Sequence, residues 1–203
     1  MSGHGTTSTA RPVVPAGHHP PPRADGRLPT TVTYLEMKVR PATAPVAAAS
    51  GVAVVRVQAP TVALYRFLYD SVGRPWLWYE RKLIPDEALQ HHLLEPSNEL
   101  YLLLADGEPA GFFQLDFVKP GEVELEFFGV RPQFLGRRLG FWLLQSAVWS
   151  AWRPGIGRVW VNTCTLDHPA ALPLYKRAGF VPYRTEEKWL MDPRLIWPEL
   201  YRG

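Results

Sequence analysis

Hydrophobic and polar positions divide the chain into an irregular start and an ordered remainder. Residues 1–30 have few large apolar side chains and many prolines and histidines, which predicts a disordered leader. From Thr31 the pattern is typical of a β-strand, with Val32, Tyr34 and Leu35 as core contacts. The segment SGVAVVRVQAP, residues 50–60, either continues that strand or pairs with it. Residues 31–203 are therefore expected to form a single domain.

Two helical segments follow the first strands. Residues 60–73 place apolar side chains close to helical spacing, and Gly73 with Pro75 ends this helix. The next segment, residues 76–96, breaks at Pro85, after which Asp86 begins a second short helix.

Three runs typical of strands come next, at residues 99–105, 108–118 and 122–130. Asp106-Gly107 joins the first pair and Lys119-Pro120-Gly121 the second, and both are turn signals. The pattern predicts an antiparallel meander of three strands.

After the meander the order becomes helix, strand, helix, strand. The run at 141–152 is apolar nearly all round, which is typical of a helix packed on a sheet. A strand is expected at 158–164, a helix that begins near Ala170, and a final hairpin pair of strands in PYRTEEKWLMD. The sum is an α/β domain with a central mixed sheet.

Charge and cysteine content restrict the function classes. Five basic and two acidic residues fall in residues 1–45, which leaves 17 of each in the remainder. A neutral remainder argues against a nucleic-acid surface. Cys164 is the only cysteine, so an intramolecular disulfide and a multi-cysteine metal site are excluded. With no apolar run long enough for a membrane span and no signal pattern, we expect a cytoplasmic protein with no metal and no membrane partner.

Two motifs carry the chemistry. VRPQFLGRRLG, residues 130–140, places two glycines around two arginines directly before an apolar helix. HPAALPLYKRAGF, residues 168–180, follows it in the chain. A glycine-bearing turn that opens a helix leaves backbone N–H groups uncapped, and such a helix start binds phosphate readily.

In this order, the two motifs and the strand meander resemble the GNAT superfamily of acyl-CoA-dependent N-acyltransferases over about residues 60–185. Val130, Pro132, Gly136 and Gly140 match the pattern V-x-P-x-x-x-G-x-G-x-G, but Arg138 stands where the family usually has its middle glycine. The second motif resembles N-x-x-A-x-x-L-Y-x-x-x-G-F, with His168 in place of the asparagine. The resemblance implies a mostly antiparallel twisted sheet flanked by helices, with a V-shaped splay between its fourth and fifth strands.

The resemblance also implies a site for acetyl-CoA as co-substrate. Backbone N–H groups from Leu135 to Phe141 would face the pyrophosphate, and Arg137 and Arg138 would add charge-assisted contacts. A bulge at Phe127-Phe128-Gly129 would open the splay, and the N–H of Phe128 or Val130 would polarise the thioester carbonyl. The full set of expected coenzyme contacts is Phe128, Val130, Leu135, Gly136, Arg137, Arg138, Leu139, Gly140, Phe141, Asn162 and His168.

Acylation of an amine needs a proton acceptor, because an amine with a pKa near 10 is mostly protonated at neutral pH. Glu122, Glu124 and Glu126 alternate along one strand, so this face is either solvated or lines a cleft. By resemblance the base is Glu124 or Glu126, with Glu124 favoured. Tyr175 matches the family's acid. Full proton transfer from a tyrosine to a thiolate is uphill by roughly 2 kcal/mol, so a hydrogen bond is the more modest role, and the alternative is a tyrosine that only packs.

The acceptor pocket implied by the resemblance includes RPWLWYERK, residues 74–82. Trp76, Trp78 and Tyr79 would stack a ring, or the neighbouring arginines would hold a carboxylate; core filling is the alternative. The expected function is acetyl transfer from acetyl-CoA to a primary amine of a small molecule by a monomer or homodimer. The alternatives are acetylation of a protein N-terminus or lysine, and a non-catalytic domain that binds coenzyme A or a partner.

Overall fold

A computed structural model describes residues 19–201 of the chain. The disorder expected for residues 1–18 falls outside the described residues. The first strand begins at Arg27, a few residues before the boundary predicted after residue 30. His19 already belongs to the folded part, since its Nε2 lies 2.7 Å from the carbonyl oxygen of Pro75.

Seven strands form one mixed sheet in the described part of the chain. They are β1 (Arg27–Met37), β2 (Val52–Val57), β3 (Asn98–Ala105), β4 (Glu108–Asp116), β5 (Glu122–Val130), β6 (Arg158–Cys164) and β7 (Val181–Met191). Their order across the sheet is β2-β3-β4-β5-β6-β1-β7, and of the paired strands only β5 and β6 run parallel. The predicted meander is therefore present as β3, β4 and β5.

Helices cover both faces of the sheet. They are α1 (Val62–Gly73), α2 (Glu80–Leu83), α3 (Asp86–Leu94), α4 (Leu139–Ala151), α5 (Ala171–Arg177) and α6 (Pro193–Ile196), with short 3₁₀ turns at 74–76, 132–134 and 198–200. The fold class is α/β with a central mixed, mostly antiparallel sheet, as the sequence predicts.

Each face of the sheet has its own apolar core. Phe112 packs with α1 and α3 on one face, and its neighbour Phe113 packs with α4 on the other, because successive strand residues point to opposite faces. Helix α1 follows its sequence pattern closely: Tyr65, Leu68, Tyr69 and Val72 are buried, and Thr61 caps the helix by accepting a hydrogen bond from the N–H of Leu64.

The two ends of the chain meet in the sheet, which differs from the sequence prediction in two respects. The segment 181–191 is one strand and not a hairpin, and its partner is β1 from the other end of the chain. Strand β2 pairs with β3 and neither continues β1 nor pairs with it. Both errors have one cause: a local pattern predicts a strand but not its partner, and β1 inserts between β6 and β7 over a long sequence separation.

The parallel pair separates soon after it forms. Strands β5 and β6 pair only at Glu122–Glu124 with Arg158–Trp160, and beyond this point the strands diverge. This is the splay that the resemblance implies between the fourth and fifth strands of the family, which correspond to β5 and β6 in this chain. The bulge lies one residue earlier than predicted. Gln114 pairs with Phe127 and Leu115 with Leu125, so Glu126 is the extra residue.

Gly129 has a different role from the one predicted for it in a bulge. A Cβ at this position would lie 2.3 Å from Cγ1 of Val72, so glycine is needed because α1 packs directly on β5.

Within residues 19–201, no helix combines the length and the apolar character needed to cross a bilayer.

Burial of β1 makes a stability prediction. Leu35 is fully buried in the core under α4, so Leu35→Ala should lower the free energy of unfolding by about 2–5 kcal/mol through lost burial and a cavity. Leu94→Ala, at a side chain that is 53% exposed, is the matched control and should change it by less than about 0.5 kcal/mol. Urea denaturation measures both. Equal effects would show that β1 does not belong to the cooperative core.

Candidate active site

A cavity of about 900 Å³ lies where β5 and β6 separate. It runs from the start of α4, along the end of β5, to the segment between α1 and α2. Most of the residues predicted for the site line it: Trp76, Trp78, Tyr79, Glu126, Phe128, Val130, Leu135, Gly136, Arg138, Leu139, Gly140, Phe141, Asn162, His168 and Tyr175. Glu124 and Arg137 do not line it.

The turn before α4 presents a set of backbone donors. Gly136 has a φ of 80°, a conformation that glycine adopts without strain, and a Cβ there would meet no atom within 4 Å. In the described part of the chain, no acceptor is bonded to the N–H groups of Arg138, Leu139, Gly140 or Phe141. Helix α4 has 13 residues, so its dipole adds positive potential at this end. The turn therefore suits an anion such as a pyrophosphate.

Arg138 occupies the position where the family pattern has its middle glycine. Its backbone is left-handed, with φ 61° and ψ 14°, and it is the N-cap residue of α4. The chain thus keeps the backbone conformation that glycine favours and adds an exposed arginine that lines the cavity and forms no ion pair with a residue in 19–201.

Arg137 points elsewhere. Its guanidinium donates to Asp106 at 2.6 Å and lies over the ring of Phe134. The Arg137 side chain does not line the cavity, so the coenzyme contact that the sequence predicts for it would require this side chain to leave Asp106.

One edge of β5 is free of a partner strand where it borders the cavity. The N–H of Arg131 donates to the carbonyl of Ala110 on β4, and N–H groups along a strand alternate between its two edges. The N–H groups of Phe128 and Val130 therefore point away from β4, toward the edge from which β6 has separated. This is the geometry that an oxyanion hole requires.

A buried polar network holds Glu126 at the bulge. Its carboxylate is ion-paired with Arg81 and accepts a hydrogen bond of 2.7 Å from the amide of Gln114, and Gln114 in turn accepts one of 2.8 Å from the hydroxyl of Tyr65. Burial raises the pKa of Glu126, and Arg81 opposes that rise. Both oxygens of this carboxylate are engaged.

Glu124 lies just behind the cavity wall. Burial, together with the negative charges of Glu126 and Asp116, raises the pKa of Glu124 to about 7. The Nδ2 atom of Asn162 is 3.5 Å from its Oε1, and Asn162 itself lines the cavity. A carboxylate with a raised pKa in this range can accept a proton near neutral pH, which is what a general base requires.

Tyr175 and His168 line the cavity from the side of α5. Tyr175 is 5% exposed between Phe128 and Phe180, and its hydroxyl bonds to no described residue. Burial raises its pKa, so the hydroxyl stays protonated and can donate a hydrogen bond to a ligand. His168 accepts from the N–H of Ala170 through Nδ1, as a short polar residue would at the start of a helix. Helix α5 begins at Ala171, so Pro173 falls in its first turn as predicted.

The three aromatic residues predicted for the acceptor pocket are all in the wall, but each is also held by its neighbours. The indole N–H of Trp78 donates to Asp167 at 3.2 Å, Trp76 packs edge-on to His168, and Tyr79 stacks on Trp197. They pack against their neighbours and also present surface to the cavity, and a contact with the acceptor stays a prediction.

Sequence reasoning missed two residues that organise the site. Asp167 accepts from Trp78, from the hydroxyl of Thr163 and from the N–H of Cys164, which joins the acceptor wall to the end of β6. Gln114 is fully buried and holds Glu126. A lone glutamine inside the apolar run FFQLDF was the available signal for Gln114, whereas Asp167 had none in the sequence.

The sequence of the chain matches a known protein family. The model of the acetyltransferase (GNAT) family matches residues 62–180, which is more than half of the sequence. The chain belongs to the GNAT acetyltransferase family. The match spans α1 to the end of α5 and so contains both motifs of the GNAT cavity. A search of the curated proteins finds no match.

Solved structures share the GNAT fold at low sequence identity. A GCN5-related N-acetyltransferase from Sphaerobacter thermophilus is 20% identical with a TM-score of 0.55, over 81% of this chain and 53% of that one. A conserved protein of unknown function from Staphylococcus epidermidis is 14% identical with a TM-score of 0.58, over 84% and 64%. An aminoglycoside acetyltransferase from an uncultured soil metagenomic sample is 13% identical with a TM-score of 0.53, over 64% and 88%. The chain thus spans less than two thirds of the length of the first two.

The left-handed backbone at Arg138 makes a prediction for this GNAT domain. A non-glycine residue in this left-handed conformation destabilises the folded state by roughly 1–2 kcal/mol. Replacing it with glycine removes this strain, but the greater freedom of glycine in the unfolded chain cancels part of the gain. Arg138→Gly should therefore leave the free energy of unfolding unchanged or raise it by up to about 1 kcal/mol. Arg138→Val should lower it, because a branched Cβ is poorly tolerated there. Urea denaturation without ligand measures both, and a clear loss in Arg138→Gly would contradict the assigned backbone.

Proposed function

We propose that the protein transfers an acetyl group from acetyl-CoA to a primary amine of a small molecule. The observation that carries the proposal is the continuity of the cavity, which joins the anion-binding turn, the free edge of β5 and the aromatic wall in one space. A bound acetyl-CoA would supply an activated acyl group as a thioester.

The residues present fit that donor. Uncapped N–H groups at the start of α4, open space beside Gly136 and the unpaired guanidinium of Arg138 suit a pyrophosphate. The N–H groups of Phe128 and Val130 would stabilise negative charge on the carbonyl oxygen as the amine attacks. Asn162 and His168 would contact the arm between the two ends.

Acetyl transfer requires a new carbon–nitrogen bond, cleavage of the carbon–sulfur bond, and movement of a proton from nitrogen to sulfur. The amine nitrogen loses a proton and bonds to the carbonyl carbon, the carbon–sulfur bond breaks, and the sulfur takes up a proton. We assign the proton acceptor to Glu124, whose pKa is near neutrality, acting through a water because it stands behind Asn162. Tyr175 would donate a hydrogen bond to the departing sulfur. Glu126 would orient the amine and not take its proton. Arg81 and Gln114 hold its carboxylate in a fixed position in the cavity wall, where an oxygen can accept a further hydrogen bond from the amine.

The segment after β7 packs against the acceptor wall of the cavity, which favours a small molecule over a protein as the acceptor. Trp197 stacks on Tyr79, and the hydroxyl of Tyr201 donates to the carbonyl of Trp78. Leu190 of β7 lines the cavity as well. An extended peptide would have to displace these contacts.

Binding at the turn gives the first test. Calorimetric titration with acetyl-CoA and with coenzyme A should show saturable one-site binding to the wild-type protein. Arg138→Gly should weaken binding by about tenfold or more, because a charge-assisted contact to phosphate is lost. Arg137→Ala is the matched control and should bind nearly as the wild type, since that side chain faces Asp106. Equal losses in the two variants would place the phosphates elsewhere.

The proton acceptor gives the second test. With an amine that is acetylated, kcat/KM should rise with pH around 7, since the carboxylate of Glu124 accepts a proton only when ionised. Glu124→Gln should lower kcat by about 100-fold or more and remove this rise, with acetyl-CoA binding unchanged. Glu126→Gln should act mainly on KM for the amine. The reverse pattern would make Glu126 the base, and normal kcat in both variants would exclude β5 from proton transfer.

A further inference from the structure

The charged side chains that line the cavity are segregated by sign. At the end formed by the turn before α4 and by α5, the charged lining residues are Arg138 and Arg177. At the opposite end they are Glu80, Glu126 and Asp167. Arg81 offsets the charge of Glu126, so the two ends favour ligand groups of opposite charge chiefly through Arg138 at one end and Glu80 at the other.

Three basic residues of the described chain lie near the acceptor end, and each is ion-paired with a carboxylate of the protein. Arg74 forms a 2.9 Å ion pair with Asp70, Lys82 is ion-paired with the same carboxylate, and Arg81 is ion-paired with Glu126. None of the three lines the cavity. An acceptor carboxylate would thus be desolvated without a cation to receive it.

Glu80 has the opposite status. It begins α2 and lines the cavity, its carboxylate accepts at 3.4 Å from the hydroxyl of Tyr69, and it forms no ion pair with any residue in 19–201. A positively charged group on the acceptor would find its complement here.

The remaining surface of this end is apolar and aromatic. Trp76, Trp78, Tyr79 and Phe127 face the cavity, together with Leu166 and Leu190. Such a wall favours a flat or bulky apolar body, and cations also associate with the faces of aromatic rings.

We infer that the acceptor is an aromatic or otherwise apolar amine that enters as a cation and carries no carboxylate, so that free amino acids are excluded. This inference rests on the proposed function and specifies its substrate class. It excludes the amino-acid-like acceptor that the arginines of the sequence allowed. Glu80 would hold the ammonium form on entry. Glu124 would then take one proton through a water and release it to solvent, so that the neutral amine attacks, and the second proton lost by the nitrogen would pass to the departing sulfur.

Three probes of nearly equal shape test the inference: tryptamine, tryptophan, and tryptophan amide, in which the carboxylate is replaced by a neutral group. Acetylation is measured as release of coenzyme A, and binding to the protein saturated with coenzyme A is measured by calorimetry. Tryptamine and the amide should exceed tryptophan in kcat/KM, and in affinity, by at least about tenfold, the effect of an unpaired like charge.

A charge variant makes the test specific to the site. Glu80→Gln should narrow the preference for tryptamine over tryptophan several-fold, whereas Glu87→Gln, at an exposed helical position outside the cavity lining, should leave it unchanged. If tryptophan is used or bound as well as tryptamine, the inference is wrong although the proposed function stands. If tryptamine and the amide fail to bind at millimolar concentration to protein that binds coenzyme A, the inference is also overturned. Loss of coenzyme A binding itself would instead refute the proposed function.

Discussion

The separation of β5 from β6 is the constraint on which the site depends. The two strands share only three residue pairs, and the bulge at Glu126 then turns β5 away from the parallel register. A sheet that stayed paired would satisfy the N–H groups of Phe128 and Val130 and would leave no cavity. Arg81 and Gln114 stabilise the bulge, because the ion pair and the hydrogen bond that they make with Glu126 compensate for burying its carboxylate. The carboxylate is thereby held in one position. The same irregularity thus lies beside the open space and places the carboxylate of Glu126 in the cavity wall.

The other fixed point is the left-handed turn into α4. The chain keeps the backbone geometry of a glycine-rich loop while placing arginine at its centre, so backbone donors and an exposed positive charge lie in the same turn. Together the turn and the splay give the cavity its polarity, with positive groups at one end and carboxylates at the other. A donor rich in phosphate and a cationic acceptor would enter from opposite ends and meet at the free edge of β5.

Local patterns predicted most of the elements, because spacing of apolar residues and turn residues such as Asp106-Gly107 act within a few positions. The GNAT family, the motif around Gly136 and Gly140, and the alternation of Glu124 and Glu126 were all readable from the sequence. Long-range relations were not: the insertion of β1 between β6 and β7, the partner of β2, and the orientation of Arg137 toward Asp106 each depend on residues far apart in the chain. The committed arginines beside the aromatic wall are a further case, since only their ion pairs reveal that they are not free.

The most direct test of the account is amide hydrogen exchange across the turn with and without coenzyme A. The N–H groups of residues 138–141 have no acceptor within the described chain, so they should exchange rapidly in the free protein. At saturating coenzyme A, a peptide covering this turn should be strongly protected, while a peptide in the exposed part of α3 should not change. Unchanged exchange at the turn, with protection appearing elsewhere on the protein, would contradict the claim that this cavity receives the acyl donor.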